Sequence, residues 1–262
     1  MTGFFYNLGR KLRPVLRKAR WIWTASTAAE AEAVEAEHAA GIEMCRAVLK
    51  LRRVCEDSPQ TELLNATGSA LAGRVKDKRR CFTFICLHGD NPEAFCLPGG
   101  FIFMSRPMLD LCGENAGEIA FVLSHEMAHV LEGHALQRVV GETVLRAITK
   151  AGSIKFAGAG LLNKLGLELM SKAYSREHEL EADCMGLRLM RAAGYDGQST
   201  ITFFEKIIHL ERRGIAGKYF STHPEVSERI ALMEQLLYQD SSSDTRKHGE
   251  RPNRKITPRK PQ

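Results

Sequence analysis

The sequence predicts an α+β fold that is mostly helical and carries one small β-sheet. Three observations lead there. Runs with helical composition and apolar spacing fill most of the chain from residue 25 to residue 237. Three short apolar, aromatic runs, CFTFICL (81–87), AFCL (94–97) and FIFM (101–104), read as strands. The stretch SHEMAHVLEGH (124–134) places His125, Glu126 and His129 on one of the helices, beside those strands in sequence.

The elements follow in order. Residues 1–24 contain no acid, six Lys/Arg and both tryptophans. This basic amphipathic segment suits either an arm packed on the domain or an anchor at an anionic membrane surface. Pro14 prevents a single helix. An Arg-rich, acid-poor organellar transit peptide is the third reading. Residues 25–55, rich in Ala and Glu, form a long helix that EDSPQTE ends. After the three strands, a helical run extends from about Pro107 to Cys112, closed by Gly113. Asn115 caps the helix that carries the histidines. Residues 150–172 are rich in small residues and read as a connector or lid. Further helices cover about Ser175–Ala193, Ser199–Arg213 and Glu225–Leu237. A disordered basic tail is expected over 239–262, which makes 25–238 the folded domain.

Composition bounds the function. The chain has 262 residues, 44% apolar and 26% charged, which is ordinary for a soluble globular protein. Seven scattered cysteines without a CxxC pair suit free thiols in a reducing compartment. The net charge of +6 sits mostly at the two ends, so no nucleic acid partner is expected. No window is long and apolar enough for a membrane span, and no secretory signal is evident. A cytoplasmic location is expected, with peripheral membrane association through residues 1–24 or organellar import as further readings.

A helix brings residues i and i+4 to one face, so His125 and His129 can aim ring nitrogens at one point. Zinc takes imidazole readily, and catalytic zinc sites use three protein ligands and one open position. Zinc lowers the pKa of a bound water to roughly 7, and Glu126, next to the first ligand, can take its proton. A helix of long apolar faces carrying two histidines and a glutamate has buried costly groups, and zinc is the simplest compensation. The third ligand is not local. In the continuation HEMAHVLEGHALQ, Glu132 and Ala135 stand where HExxHxxGxxH requires glycine and histidine. His134, five residues past His129, points to another side of a continuing helix. SREHELEADCMG (175–186) offers the ligand. Glu179 and Asp183 share one face, Glu177 and Glu181 another. Ala182 and Gly186 flank the Glu179 face and let this helix approach the first closely. Glu179 as ligand, with Asp183 supporting a ligand histidine, is preferred. Geometry alone leaves Glu181 open.

With these motifs the chain resembles the gluzincin metallopeptidases of the HtpX, BepA and CAAX-prenyl-protease type, including the mitochondrial Oma peptidases. AFCLPGGFIFMS is similar to the family's NAFALPGG strand-turn-strand, SREHELEADCMG to its SRxxExEADxxG, and FSTHPEVSERIA to its STHPxxxxRI. The resemblance covers about 91–237. It implies a metallopeptidase domain in which an HExxH helix and a later ExxxD helix hold one Zn2+ per chain beside a small sheet. It implies Glu179 as third ligand and Asp183 as its supporting residue. His223 and Arg229 become candidates for gating or for stabilising the transition state. A peptide substrate would add as a strand along Gly99, Gly100, Phe101, Ile102 and Phe103. Glu93 stands where the family has asparagine. The expected activity is a zinc endopeptidase acting on unfolded or misassembled proteins. The competing expectation is a zinc-containing chaperone-like protein or membrane-surface adaptor without proteolysis.

Overall fold

The protein is seen in a computed structural model that describes residues 27–139, 173–212, 223 and 226–249. The segment expected over 1–24 and the connector over 150–172 lie outside the described residues.

The long Ala/Glu run forms helix α1 (Thr27–Leu51). Helix α2 (Pro59–Arg74) follows. Ser58 caps it: the Ser58 hydroxyl accepts from Thr61 N, and Thr61 Oγ1 accepts from Ser58 N, with Pro59 in the first turn. The sequence does not announce this helix, for a physical reason. The buried stripe is Thr61, Leu64, Thr67, Gly68 and Leu71, so three of its five members are not apolar side chains. Gly68 is required by packing. A Cβ there would lie 2.4 Å from the Phe84 ring.

Strands β1 (Thr83–Leu87), β2 (Ala94–Leu97) and β3 (Phe101–Ser105) make one sheet in the order β1-β3-β2. β1 runs parallel to β3, from Thr83↔Phe101 to Leu87↔Ser105. β2 runs antiparallel to it, from Ala94↔Met104 to Leu97↔Phe101. This arrangement corrects the expected substrate strand. β3 is the central strand, with both edges paired along its length and all five residues buried. Phe101, Ile102 and Phe103 have no free edge to offer a peptide. Gly99 and Gly100 do permit close approach, but by the chain itself. Their φ values are +78° and +90°, and added Cβ atoms would meet His38 Cα at 2.6 Å and Cys81 O at 2.0 Å. Helix α1 grips this turn: His38 Nδ1 donates to Gly99 O (2.9 Å), and Gly99 N donates to Glu37 Oε1 (3.1 Å). Glu93 is buried and ion-paired with Arg52, just beyond α1. That pairing accounts for a charged residue at this position.

Helices α3 (Arg106–Cys112) and α4 (Ala116–Leu131) come next. Asn115 caps α4, its Oδ1 accepting from Gly117 N (3.0 Å) and Glu118 N (3.2 Å). Helices α5 (Arg176–Ala192), α6 (Ser199–Arg212) and α7 (Val226–Gly249) complete the described fold. Every residue of α4 from Glu118 to Val130 is buried, including the polar Glu118, Ser124, His125, Glu126 and His129. It packs against α5, α2, α6 and β2. Phe121 meets Phe203 and Phe204 of α6 edge-on, at 5.7 and 5.2 Å between centroids. Each such buried side chain contributes about 1.5–3 kcal/mol relative to exposure.

Helix α7 runs to Gly249, well past the expected end at Leu237. Residues 239–249 are therefore helical where a disordered tail was expected. The run from Val226 to His248 contains neither glycine nor proline, so nothing breaks the helix before Gly249. Residues 250–262 lie outside the described residues. All seven cysteines are free. Among the described residues, no helix is long and apolar enough to cross a membrane.

Candidate metal centre

Helix α4 supplies three groups to one point. His125 and His129, one turn apart, bring their Nε2 atoms within 3.1 Å of each other, and Glu126 lies beside them. Helix α5 crosses α4 at this level because Gly186 lets it. A Cβ on Gly186 would stand 3.1 Å from His125 N and 3.2 Å from Ser124 C. Ala182 beside it is fully buried. The close approach brings Glu179 to the histidines: Oε1 lies 3.4 Å from His129 Nε2 and Oε2 3.5 Å from His125 Nε2. His223 joins from the segment before α7, its Nδ1 3.1 Å from both Glu179 oxygens. Donor atoms of His125, His129, Glu179 and His223 all fall within 4.8 Å of one another, and all four residues are buried.

Two further residues hold this set from behind. Asp183 Oδ1 lies 2.8 Å from His125 Nδ1 and can accept its proton, which leaves Nε2 free to ligate. Arg229 donates to both Asp183 oxygens, at 2.7 and 2.8 Å, and its Nη1 lies 3.0 Å from Glu179 Oε2. It is fully buried. Its guanidinium contacts Asp183 and Glu179, on the side of the cluster behind the histidines. His223 does stand at the site, its Nε2 3.3 Å from Glu126 Oε1. Glu181 is not part of the donor cluster. Its Oε2 lies 3.1 Å from His134 Nε2.

The electrostatics follow from these contacts. Burial alone would raise the Glu179 carboxyl, but His223 and Arg229 hold it well below the ordinary carboxylate range. Asp183 is likewise lowered, with Arg229 outweighing burial. Burial and Arg229 disfavour charge on His125, yet hydrogen bonds to Asp183 and Glu179 carry its pKa to about 9. His129 is pushed well below 6.5, mainly by burial. Burial and the neighbouring His178 lower His134 to about 4.

Sequence reasoning missed the surroundings of His129. The helix ends at Leu131, and Gly133 at φ +74° turns the chain so that residues 134–139 resume as a separate helical run. His134, expected on another side of the helix, therefore swings back, its Nδ1 3.1 Å from His129 Nδ1. Gly133 itself was the available signal. Tyr174 stacks on the His129 ring at 3.7 Å and 11°, and Arg138 sits over Tyr174.

Two imidazoles and a carboxylate are a donor set that suits zinc at catalytic sites. Among the described residues, Glu126 Oε2 is buried without a hydrogen-bond partner, as expected of a carboxylate kept for a bound water or substrate.

Comparison with known proteins agrees with this arrangement. The chain is 31% identical to the mitochondrial metalloendopeptidase OMA1 of Saccharomyces cerevisiae over 56% of its own length and 44% of that protein. It is 31% identical to the metalloprotease LoiP of Escherichia coli, over 64% of this chain and 66% of LoiP. With the beta-barrel assembly-enhancing protease of Escherichia coli it shares 25% identity, over 65% and 37% of the two chains. It thus spans less than half the length of the mitochondrial relatives it matches. The profile of peptidase family M48 matches residues 59–237, a stretch that begins at α2, ends within α7 and includes every member of the cluster; the chain belongs to that family.

Proposed function

We propose that this chain is a zinc endopeptidase that hydrolyses peptide bonds in unfolded or misassembled proteins. The observation that carries the reading is a buried set of His125, His129 and Glu179 with an unpartnered Glu126 oxygen beside it. The metal, when bound through those three residues, would acidify an attacking water and polarise the scissile carbonyl. Glu126 takes the proton of that water and returns one to the leaving amine. The outer strand β2 is better placed than β3 to pair with an extended substrate, because no described strand covers its other edge and its Cys96 lies near enough to Glu126 to feel its charge. The relatives' names, two metalloendopeptidases or metalloproteases and one protease, support a protein substrate.

Purified protein should carry about one zinc per chain and cleave casein, and a chelator should stop the cleavage. Glu179→Ala should purify without zinc, whereas Glu181→Ala should still hold one. The opposite pattern would reassign the third ligand.

His223 is read as a fourth donor that occupies the open position in a resting state, or as a donor to the developing oxyanion. His223→Ala should leave or raise activity in the first case. In the second it should lower kcat with zinc content unchanged. Unchanged zinc exchange together with unchanged kcat would discard both roles.

Residues 1–24 are read as holding the enzyme at an anionic membrane surface, each Lys/Arg contributing roughly 1 kcal/mol there. Flotation with anionic liposomes should fall on deleting them and on raising salt. Equal flotation without them would leave the segment a packing arm.

A further inference from the structure

The geometry points to His134 and Glu181 as a positioning pair that fixes the tautomer and orientation of the metal ligand His129. The inference rests on the zinc-site reading above and concerns two residues to which that reading gives no role.

The argument is one of proton bookkeeping along a chain of contacts. His129 Nε2 faces the donor cluster, 3.1 Å from His125 Nε2 and 3.4 Å from Glu179 Oε1. An imidazole that ligates through Nε2 must carry its proton on Nδ1. His129 Nδ1–H therefore donates, and among the described residues its partner is His134 Nδ1, at 3.1 Å. To accept there, His134 must be neutral with its own proton on Nε2. That Nε2–H then donates to Glu181 Oε2, at 3.1 Å. Every donor in the series meets an acceptor, and one tautomer of each ring satisfies all of it. Reversing the series would put the proton of His129 on the nitrogen that faces the metal.

The two ligand histidines are thus anchored differently. Asp183, fully buried, accepts the hydrogen bond of His125 Nδ1–H directly. His129 reaches its carboxylate through a second imidazole, and that carboxylate lies at the surface, with 62% of the Glu181 side chain exposed. Tyr174 stacks on the face of His129. His178 stacks on His134 at 4.0 Å and 19°. Alternate acids of the ExExD series on α5 consequently serve three tasks. Glu179 faces the cluster, Asp183 supports one histidine and Glu181 supports the other. Outer partners of this kind typically account for 10- to 100-fold in metal affinity.

Zinc affinity, measured by competition with a chromophoric chelator on the full chain, tests the inference. His134→Phe keeps a ring for packing but removes both nitrogens, and should weaken zinc binding about 10- to 100-fold. His134→Asn places an oxygen near the Nδ1 position and should recover most of the loss. Glu181→Ala, at an exposed position that leaves folding intact, should weaken binding about 10-fold. Combined with His134→Phe it should add nothing further, since it acts through His134. A general effect of removing a negative charge would instead add fully, and would overturn the inference. So would zinc affinity within about twofold of wild type in folded Glu181→Ala, a measurement that stands even if His134→Phe does not fold. Wild-type protein that binds no zinc would sink the metal-site reading itself, and so is distinguishable from failure of the pair.

Discussion

Glu126→Gln should abolish proteolysis while leaving zinc content and fold intact. The substitution keeps size and one carbonyl oxygen but removes the proton acceptor. The contacts that would hold the two histidines do not involve Glu126: Asp183 meets His125, and His134 meets His129. Glu126 Oε1 lies 3.3 Å from His223 Nε2. Zinc binding should therefore survive. Loss of a general base costs on the order of 100- to 10,000-fold in rate. Casein cleavage, zinc content and the unfolding midpoint measured on the same preparation check it. Cleavage within a few-fold of wild type would defeat the mechanism. The same experiment separates the enzyme from a zinc-containing chaperone-like protein. A purely structural zinc site gains nothing from a buried carboxylate with an unpartnered oxygen, so holdase activity unaffected by the change, in protein that never cleaved, would favour that second reading.

Arg229→Met should destabilise the chelator-treated protein by about 3–5 kcal/mol, the usual cost of leaving buried charge without its partner. Arg229 is fully buried, donates twice to Asp183 and contacts Glu179. Methionine fills similar space and stays compatible with the Phe204 ring beneath the guanidinium, but it leaves two carboxylates without that cation. Against a typical total of about 5–15 kcal/mol, the loss is large. Arg229→Lys should recover only part, because an ammonium cannot make the paired contacts of the guanidinium fork. The pH dependence has a definite sign. Glu179 and Asp183 both titrate below the ordinary carboxylate range. The stability they contribute is fully present above about pH 4 and is lost as the pH falls through their lowered values. The deficit of Arg229→Met should narrow over that acid range. Urea unfolding at pH 7 and in a series down to about pH 2 measures the deficit and its narrowing. A deficit below about 1 kcal/mol at pH 7 would mean that water or relaxation satisfies the carboxylates.

The sequence by itself determined the family and the helix that carries the candidate site. His125, Glu126 and His129 were legible because helical spacing fixes which side chains share a face, and Asn115 marked where that helix begins. Gly186 and Ala182 announced the close helix crossing, since only small side chains allow backbones to approach so nearly. Ala182 and Gly186 favoured the Glu179 face over that of Glu181 without excluding the latter, and the family's motif separated the two. Tertiary structure alone decided the rest. Strand order is set by which edges find partners across the chain, and it placed β3 in the centre, where the sequence suggested a strand open to a peptide. Helix α2 was hidden because its buried stripe is built from threonine and glycine around Phe84. The sequence offered Arg229 only as a candidate at the site through the family's motif, and its full burial against Glu179 and Asp183 is visible only in the tertiary structure. His134 reads as facing away until one residue at positive φ, Gly133, ends the helix and turns the chain back onto His129. Helical periodicity extends only as far as the helix does, and where it stops, long-range packing decides which side chains meet.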